Sequence, residues 1–201
     1  MTEKIFSVYL TDTENFNVTI HFQNDFEGSC EFMFRGFDKI KKIKFKNFKS
    51  CNNTSGMFGE CSSLESLDLS SFNTSNVESM EEMFFDCISL ESLNLSSFNT
   101  SKVTNMSSMF NGCASLESLN LSSFDTSNVT DMGRMFNGCY SLSELILSKS
   151  FTMQKVDNDD EMFSNYYISI IQNEANLKAD IKTLINSIDS NNLDFLKVAI
   201  F

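Results

Sequence analysis

Proline and tryptophan are absent from this chain, and histidine occurs once, at His21. A lone histidine in a strand-like run supports no Ser/His/Asp arrangement. The seven glycines form no loop that would cradle a phosphate, and no spacing of Cys, His, Asp or Glu reads as a metal site. No apolar run approaches the roughly 18 residues of a membrane helix. Bases are scarce: 15 Lys and Arg stand against 27 Asp and Glu, a formal charge of −12 over 201 residues. A basic nucleic-acid binder is thereby disfavoured. The segment Met1-Thr2-Glu3-Lys4-Ile5-Phe6 shows no basic region leading into an apolar one. The chain is therefore expected either to stay inside the cell or to be a piece of something longer. An enzyme, a cofactor and a nucleic-acid partner are not expected.

What is abundant is phenylalanine, 21 residues, and it recurs in register. The string Cys61-Ser62-Ser63-Leu64-Glu65-Ser66-Leu67-Asp68-Leu69-Ser70-Ser71-Phe72 returns from Cys87 to Phe98 and from Cys113 to Phe124. A looser copy runs from Cys139 to Phe151 with one inserted residue. Met-Phe pairs punctuate the units at 57–58, 83–84, 109–110, 135–136 and 162–163. A degenerate copy begins at Met33-Phe34, with Phe37, Ile40, Ile43, Phe45 and Phe48 in the places of Cys61, Leu64, Leu67, Leu69 and Phe72. A fixed period of 26 residues is the mark of a solenoid, because one unit cannot bury its own apolar edge.

Within a unit, Leu64, Leu67 and Leu69 follow the L-x-x-L-x-L rule of a short strand with its leucines turned inward. Val77, Met80, Met83 and Phe84 then sit at helical spacing. Ser75 with Glu78 three residues on reads as a capping box, and Ser101 and Ser127 keep the cap position. Gly112 and Gly138 stand where a left-handed residue would close a short helix. The expectation is an α/β solenoid of five or six coils, in which short parallel strands alternate with short helical turns. Cys61, Cys87, Cys113 and Cys139, 26 residues apart, are expected to be a column of reduced, buried thiols.

The expected organisation is a strand-hairpin cap over residues 1–25, the solenoid over 26–165 and a helical cap over 166–201. In the last part Ile181, Leu184, Ile185 and Ile188 share one helical face, and Leu193, Leu196 and Ile200 suggest a second helix. A partner-binding tail is the alternative to a cap there.

The repeated string Met-Phe…Cys-x-Ser-Leu-x-x-Leu-x-Leu-Ser-Ser-Phe-[Asn/Asp]-Thr-Ser-[Asn/Lys]-Val resembles the BspA-like leucine-rich repeat proteins, and within them the branch of Mycoplasma-type lipoprotein-associated repeats. The likeness covers residues 50–165 well and 26–49 weakly. It implies a right-handed leucine-rich-repeat superhelix and a surface or secreted protein used in adhesion and protein contact. It brings no catalytic motif.

Two candidate sites follow. Side chains between the inward leucines are expected to point outward: Ser66, Asp68 and Ser70, then Ser92, Asn94 and Ser96, then Ser118, Asn120 and Ser122, then Glu144, Ile146 and Ser148. Glu65, Glu91 and Glu117 form an acidic column beside them. This is either a recognition face or a merely solvated one. The second is a basic patch. Arg35, Lys39, Lys41, Lys42, Lys44, Lys46 and Lys49, with Asp38 the one acid among them, make the first unit +6 and leave the rest of the chain −18. It reads as an anion-binding patch or, the favoured reading, as a charged sheet edge that prevents end-to-end stacking. A Lys44–Asp68 pair one strand apart is expected. The partner is expected to be a protein, with self-association through the ends also open.

Overall fold

Strand β1 is Phe6–Asp12 and β2 is Asn17–Phe22, and the two pair antiparallel. The structure, a computed structural model, describes residues 6–12, 16–22, 28–46, 48, 51–163, 167–170 and 195–200. The repeat supplies β3 (Lys42–Lys46), β4 (Ser66–Asp68), β5 (Ser118–Leu121) and β6 (Glu144–Leu147). Strand β2 pairs parallel with β3, and β3 with β4, giving one sheet in the order β1-β2-β3-β4. Two further strands, β7 (Tyr167–Ile170) and β8 (Phe195–Ile200), join β5 and β6 in a second sheet of order β5-β6-β8-β7. The chain is a parallel β-solenoid.

The third link of the strand column is open. Residues 92–95 form no strand. Serine side chains carry hydrogen bonds between coils there: Ser97 Oγ donates to the Leu69 carbonyl at 3.4 Å and Ser123 Oγ to that of Leu95 at 3.0 Å.

The segments expected to be helical are not helices. Around the coil from the strands, Ser29, Asn53, Ser79, Asn105, Asp131 and Asn158 are joined by five parallel bridges, one per coil-to-coil step. From each bridge onward, alternate amides donate to the next coil. Met80, Glu82, Phe84 and Asp86 donate to the carbonyls of Asn105, Ser107, Met109 and Asn111, at 2.8–3.0 Å. The amides between them close tight turns: Met83 to Met80, Phe85 to Glu82 and Cys87 to Phe84. The chain can zigzag this way because two residues per coil, four apart, take left-handed backbone. They are Phe32 and Gly36, Gly56 and Glu60, Glu82 and Asp86, Ser108 and Gly112, and Arg134 and Gly138, with φ of 52–78°. Gly112 and Gly138 are thus left-handed, as expected, without closing a helix. Val77, Met80, Met83 and Phe84 are all fully buried, so three-residue turns reproduce the inward spacing that helical periodicity suggested.

The capping box is also replaced. Ser75 is not a cap; its own amide donates to Asn73 Oδ1 at 3.1 Å, and the Glu78 amide donates to the Asn52 carbonyl. Ser101 and Ser127 are held the same way by Asn99 and Asp125. The threonine between does the joining. Thr100 Oγ1 donates to the Asp125 carbonyl and accepts the Asp125 amide, both at 2.8 Å, and Thr74 and Asn99 repeat the pattern. The hydroxyl is buried and both its bonds are filled, which is what a buried polar group requires.

The core is one elongated column. Phe34, Phe58, Phe84, Phe110, Phe136 and Phe163 stack at centroid spacings of 5.0–5.8 Å with interplanar angles of 5–17°. Beside it Phe48 stacks on Phe72 and Phe98 on Phe124. Each buried Phe or Leu contributes roughly 1.5–3 kcal/mol relative to exposure. The described cysteines are free and buried. Cys61, Cys87, Cys113 and Cys139 donate S–H to the carbonyls of Phe34, Phe58, Phe84 and Phe110, at 3.0–3.2 Å. In the first unit Ile43, Phe45 and Phe48 are buried as expected, but Phe37, in the cysteine's place, is 38% exposed.

The C-terminal expectation changes in one part. Phe195–Ile200 is a strand, so the second helix through Leu196 and Ile200 is not present. Parallel to both β6 and β7, β8 takes the place beside β6, with Leu145 opposite Val198. An uncovered strand β6 would leave its outer backbone groups unpaired, and a strand satisfies them where a helix does not. The expected helix through Ile181, Leu184, Ile185 and Ile188, and Leu193 with it, lies outside the described residues. Among the described residues no helix is long and apolar enough to cross a membrane.

Candidate functional site

Alternation in the strands sets the first candidate surface. Leu67, Leu93 and Leu119 turn inward, and their neighbours turn out. Glu65, Ser66, Glu91, Ser92, Asn94, Glu117, Ser118, Asn120 and Glu144 are exposed, and Asp68 is half-buried. Ser118 lies opposite Glu144 and Asn120 opposite Ile146. Ser148 departs from the pattern: it is buried, and its hydroxyl donates to the Phe124 carbonyl.

Part of this surface is already occupied by local bonds. The Oδ1 atoms of Asp68, Asn94 and Asn120 accept the amides of Ser70, Ser96 and Ser122, at 2.9–3.1 Å. These side chains close the turn that ends each strand. The Ser70 hydroxyl and amide hold the Asp68 carboxyl below the ordinary range, with Lys44 adding to the effect. Glu65 is also lowered, first by its bond to Lys41 at 2.6 Å. That leaves Ser66, Ser92, Ser118, Glu91, Glu117 and Glu144 as the outward groups with least structural duty.

The basic patch is assembled on β3. Lys42, Lys44 and Lys46 point out, while Ile43 and Phe45 point in. Lys42 lies opposite Ser66 and Lys44 opposite Asp68, and the expected Lys44–Asp68 pair is present at 3.7 Å. Lys39 is exposed and Lys41 pairs with Glu65. The edge-guard reading fails on topology: β2 pairs along β3 from Asn17–Lys42 to His21–Lys46, so the lysines sit on an interior strand.

A third cluster, on the turn side, was not legible as a unit. The Arg35 guanidinium reaches Glu60 and Glu82, each at 2.7 Å, and lies 5.3 Å from the Phe32 ring and 5.7 Å from that of Phe85. It crosses the second coil over Gly56 and Gly59, where an added Cβ would stand 2.9 and 3.1 Å from its Nη1. The two glycines were the available signal. Nearby Asp86 is raised above the ordinary carboxylate range by burial and by Glu60, and Glu81 by burial and by Glu82.

The thiols offer little chemistry. Burial raises all four column cysteines: Cys61 to about 11, Cys139 to about 12, and Cys87 and Cys113 well above the ordinary value. Cys30 is raised first by its bond to Cys51 and then by burial. A thiol held neutral and buried is a poor nucleophile.

A family model described as "Mycoplasma protein of unknown function, DUF285" matches residues 28–118 and 52–177. The chain belongs to the DUF285 family. The family assignment agrees with the BspA-like leucine-rich repeat pattern of the sequence. Among solved structures, this DUF285 protein is similar to a Treponema pallidum leucine-rich repeat protein at 15% identity and a TM-score of 0.41, over 77% of this chain and 89% of that one. None of the curated proteins matches it.

Proposed function

We propose that this DUF285 solenoid is a non-enzymatic protein-binding and adhesion module whose partner contacts the polar strand face. The observation that carries the reading is the exposure of Ser66, Ser92, Ser118 and Glu144, at equivalent places in the repeat, beside Glu65, Glu91 and Glu117. Stacked coils turn a small motif into an extended surface, which is how solenoids engage partners. Tyr, Trp and Arg, the usual anchors of tight interfaces, are missing from it, so single contacts are weak and useful affinity comes from several acting together. The buried, high-pKa thiols and the lone His21 favour binding over catalysis. The second reading is a scaffold with no dedicated ligand, supported by the structural use of Asp68, Asn94 and Asn120 described above.

The test compares intact protein with a Glu91→Arg/Ser92→Arg variant in a capture assay on the same extract. Ser92 is preferred to Asn94 because Asn94 holds the Ser96 amide. Partners lost by the variant alone support the face; equal capture by both proteins excludes it. Sedimentation across a concentration range separates the scaffold: self-association favours it, and a strict monomer removes a self-associating one.

A further inference from the structure

The lysines of β3 need an explanation other than edge protection. The two outer strands of their sheet, β1 (Phe6–Asp12) and β4 (Ser66–Asp68), contain no lysine. The charge is on the interior strand β3, at Lys42, Lys44 and Lys46, all exposed. Inward residues cannot account for them either, because Ile43 and Phe45 already fill the core positions of that strand. Among the described residues Lys42 and Lys46 have no acidic partner within ion-pair distance, while Lys44 has a long pair to Asp68 at 3.7 Å with the lysine 60% exposed. Lys41 is tied to Glu65 at 2.6 Å. The arrangement is a row of three exposed ammonium groups on a strand flanked on both sides by paired strands, with Lys42 close enough to Glu65 to help lower its pKa.

We propose that β3 is a docking strip for a short acidic polypeptide segment, extended along the strand, whose alternate carboxylates meet Lys42, Lys44 and Lys46. This rests on the reading of the strand face as a protein-binding surface and gives it a partner chemistry. The spacing supports it. Alternate side chains on an extended chain recur every ~6.8 Å, which is the repeat of the lysines themselves. Length supports it too: β3 has five residues. The neighbouring coils carry Glu65, Glu91 and Glu117 on the same side, and the chain as a whole is −12. A long uniform polyanion crossing those coils meets all of these carboxylates, whereas a segment of about five residues confined to one strand meets only Glu65 and Asp68, each of which already has a lysine partner.

The probe is a fluorescein-labelled octapeptide of alternating Glu and Ser, titrated by anisotropy at low salt, with an alternating Lys and Ser peptide and inorganic polyphosphate beside it. The expected result is binding of the Glu peptide alone among the peptides, weakened at least about tenfold by Lys42→Gln/Lys46→Gln and weakened further as salt shortens the screening length. The double variant alters two exposed side chains, and an unchanged thermal midpoint shows that it remains folded. Equal binding by the variant, or no binding of the Glu peptide at low salt, overturns the strip. Complete competition by polyphosphate at equal charge overturns the peptide assignment in favour of a general anion site. The Glu91→Arg/Ser92→Arg variant separates the two readings. Peptide binding that depends on Lys42 and Lys46 while that variant captures normally leaves the strip standing without the wider face; the reverse leaves the face standing without the strip.

Discussion

The two sides of each coil differ in how they are joined to the next. On the turn side the ladder is unbroken from Ser29 to Asn158, with three or four amides of each turn segment donating to the next coil and at least one amide donating back. On the strand side the ladder stops after β4 and resumes at β5, and the hydroxyls of Ser97 and Ser123 bridge to the carbonyls of Leu69 and Leu95 instead. The leucine strands give a leucine-rich repeat its pattern, yet here the turn side is the continuous backbone seam. A strand of three or four residues offers few bonds. The turn segment alternates bonds across coils with bonds within its own turn, so its buried amides are satisfied locally and between coils.

Core substitutions on the two sides give the largest contrast. Phe110→Ala opens a hole in the middle of the stacked ring column and is expected to cost about 3–5 kcal/mol in urea unfolding. Leu93→Ala, in the segment without a strand, is expected at the lower end of the range for large-to-small changes, ~2–3 kcal/mol, because the site relaxes more easily. Equal losses would remove the distinction. Next is the threonine hook. Thr100→Val keeps the shape but strands the Asp125 amide and carbonyl, at a cost of about 1–3 kcal/mol.

The left-handed positions sharpen the comparison further. Gly112→Ala places a Cβ 1.9 Å from Asp86 Oδ1 at a φ of 78°, and is expected to destabilise by about 1–2 kcal/mol. Ser108→Gly relieves the same backbone penalty at a φ of 54° and is expected to stabilise by ~0.5–1 kcal/mol. Thermal or urea unfolding of the pair reads both signs; in a helix, glycine at residue 108 would destabilise instead.

The smallest effect is electrostatic. Asp86 has its folded-state pKa raised by burial and Glu60, so its ionised form is disfavoured in the folded protein. That penalty is full above the folded pKa, shrinks as pH falls below it and is gone below the ordinary, unfolded value. Asp86→Asn is therefore expected to raise the thermal midpoint near pH 7, with a gain that fades towards acid. Asp68 runs the other way: its pKa is lowered, and its contribution is lost as pH falls through that lowered value.

Much of this architecture is legible in the chain. The 26-residue repeat identifies the columns of Leu64, Cys61, Phe58 and Phe72, and aligning the first unit to them places Lys44 beside Asp68. The turn side is misread because Val77, Met80 and Met83 recur every three residues, a spacing shared by helices and by stacked turns. The decisive signal is subtler: Gly36, Gly56, Gly112 and Gly138 fall at two positions four residues apart, where left-handed backbone is needed. At Glu82, Asp86 and Arg134 other residues accept that conformation, which hides the pattern. The lysines are misassigned to an edge because the hairpin expected within residues 1–25 carries no sign that its second strand pairs along β3. Arg35 is missed because its partners are 25 and 47 residues away and its path depends on two absent side chains, at Gly56 and Gly59.

The seam itself is open to direct observation. Scalar couplings across hydrogen bonds, measured by NMR on uniformly labelled protein, report which carbonyl each amide meets. The expected result is a coupling from the Phe84 amide to the Met109 carbonyl, with Glu82 to Ser107 and Asp86 to Asn111 beside it. A coupling from the Phe84 amide to the carbonyl of Met80, four residues back, would mean a helix on that side and would contradict the account.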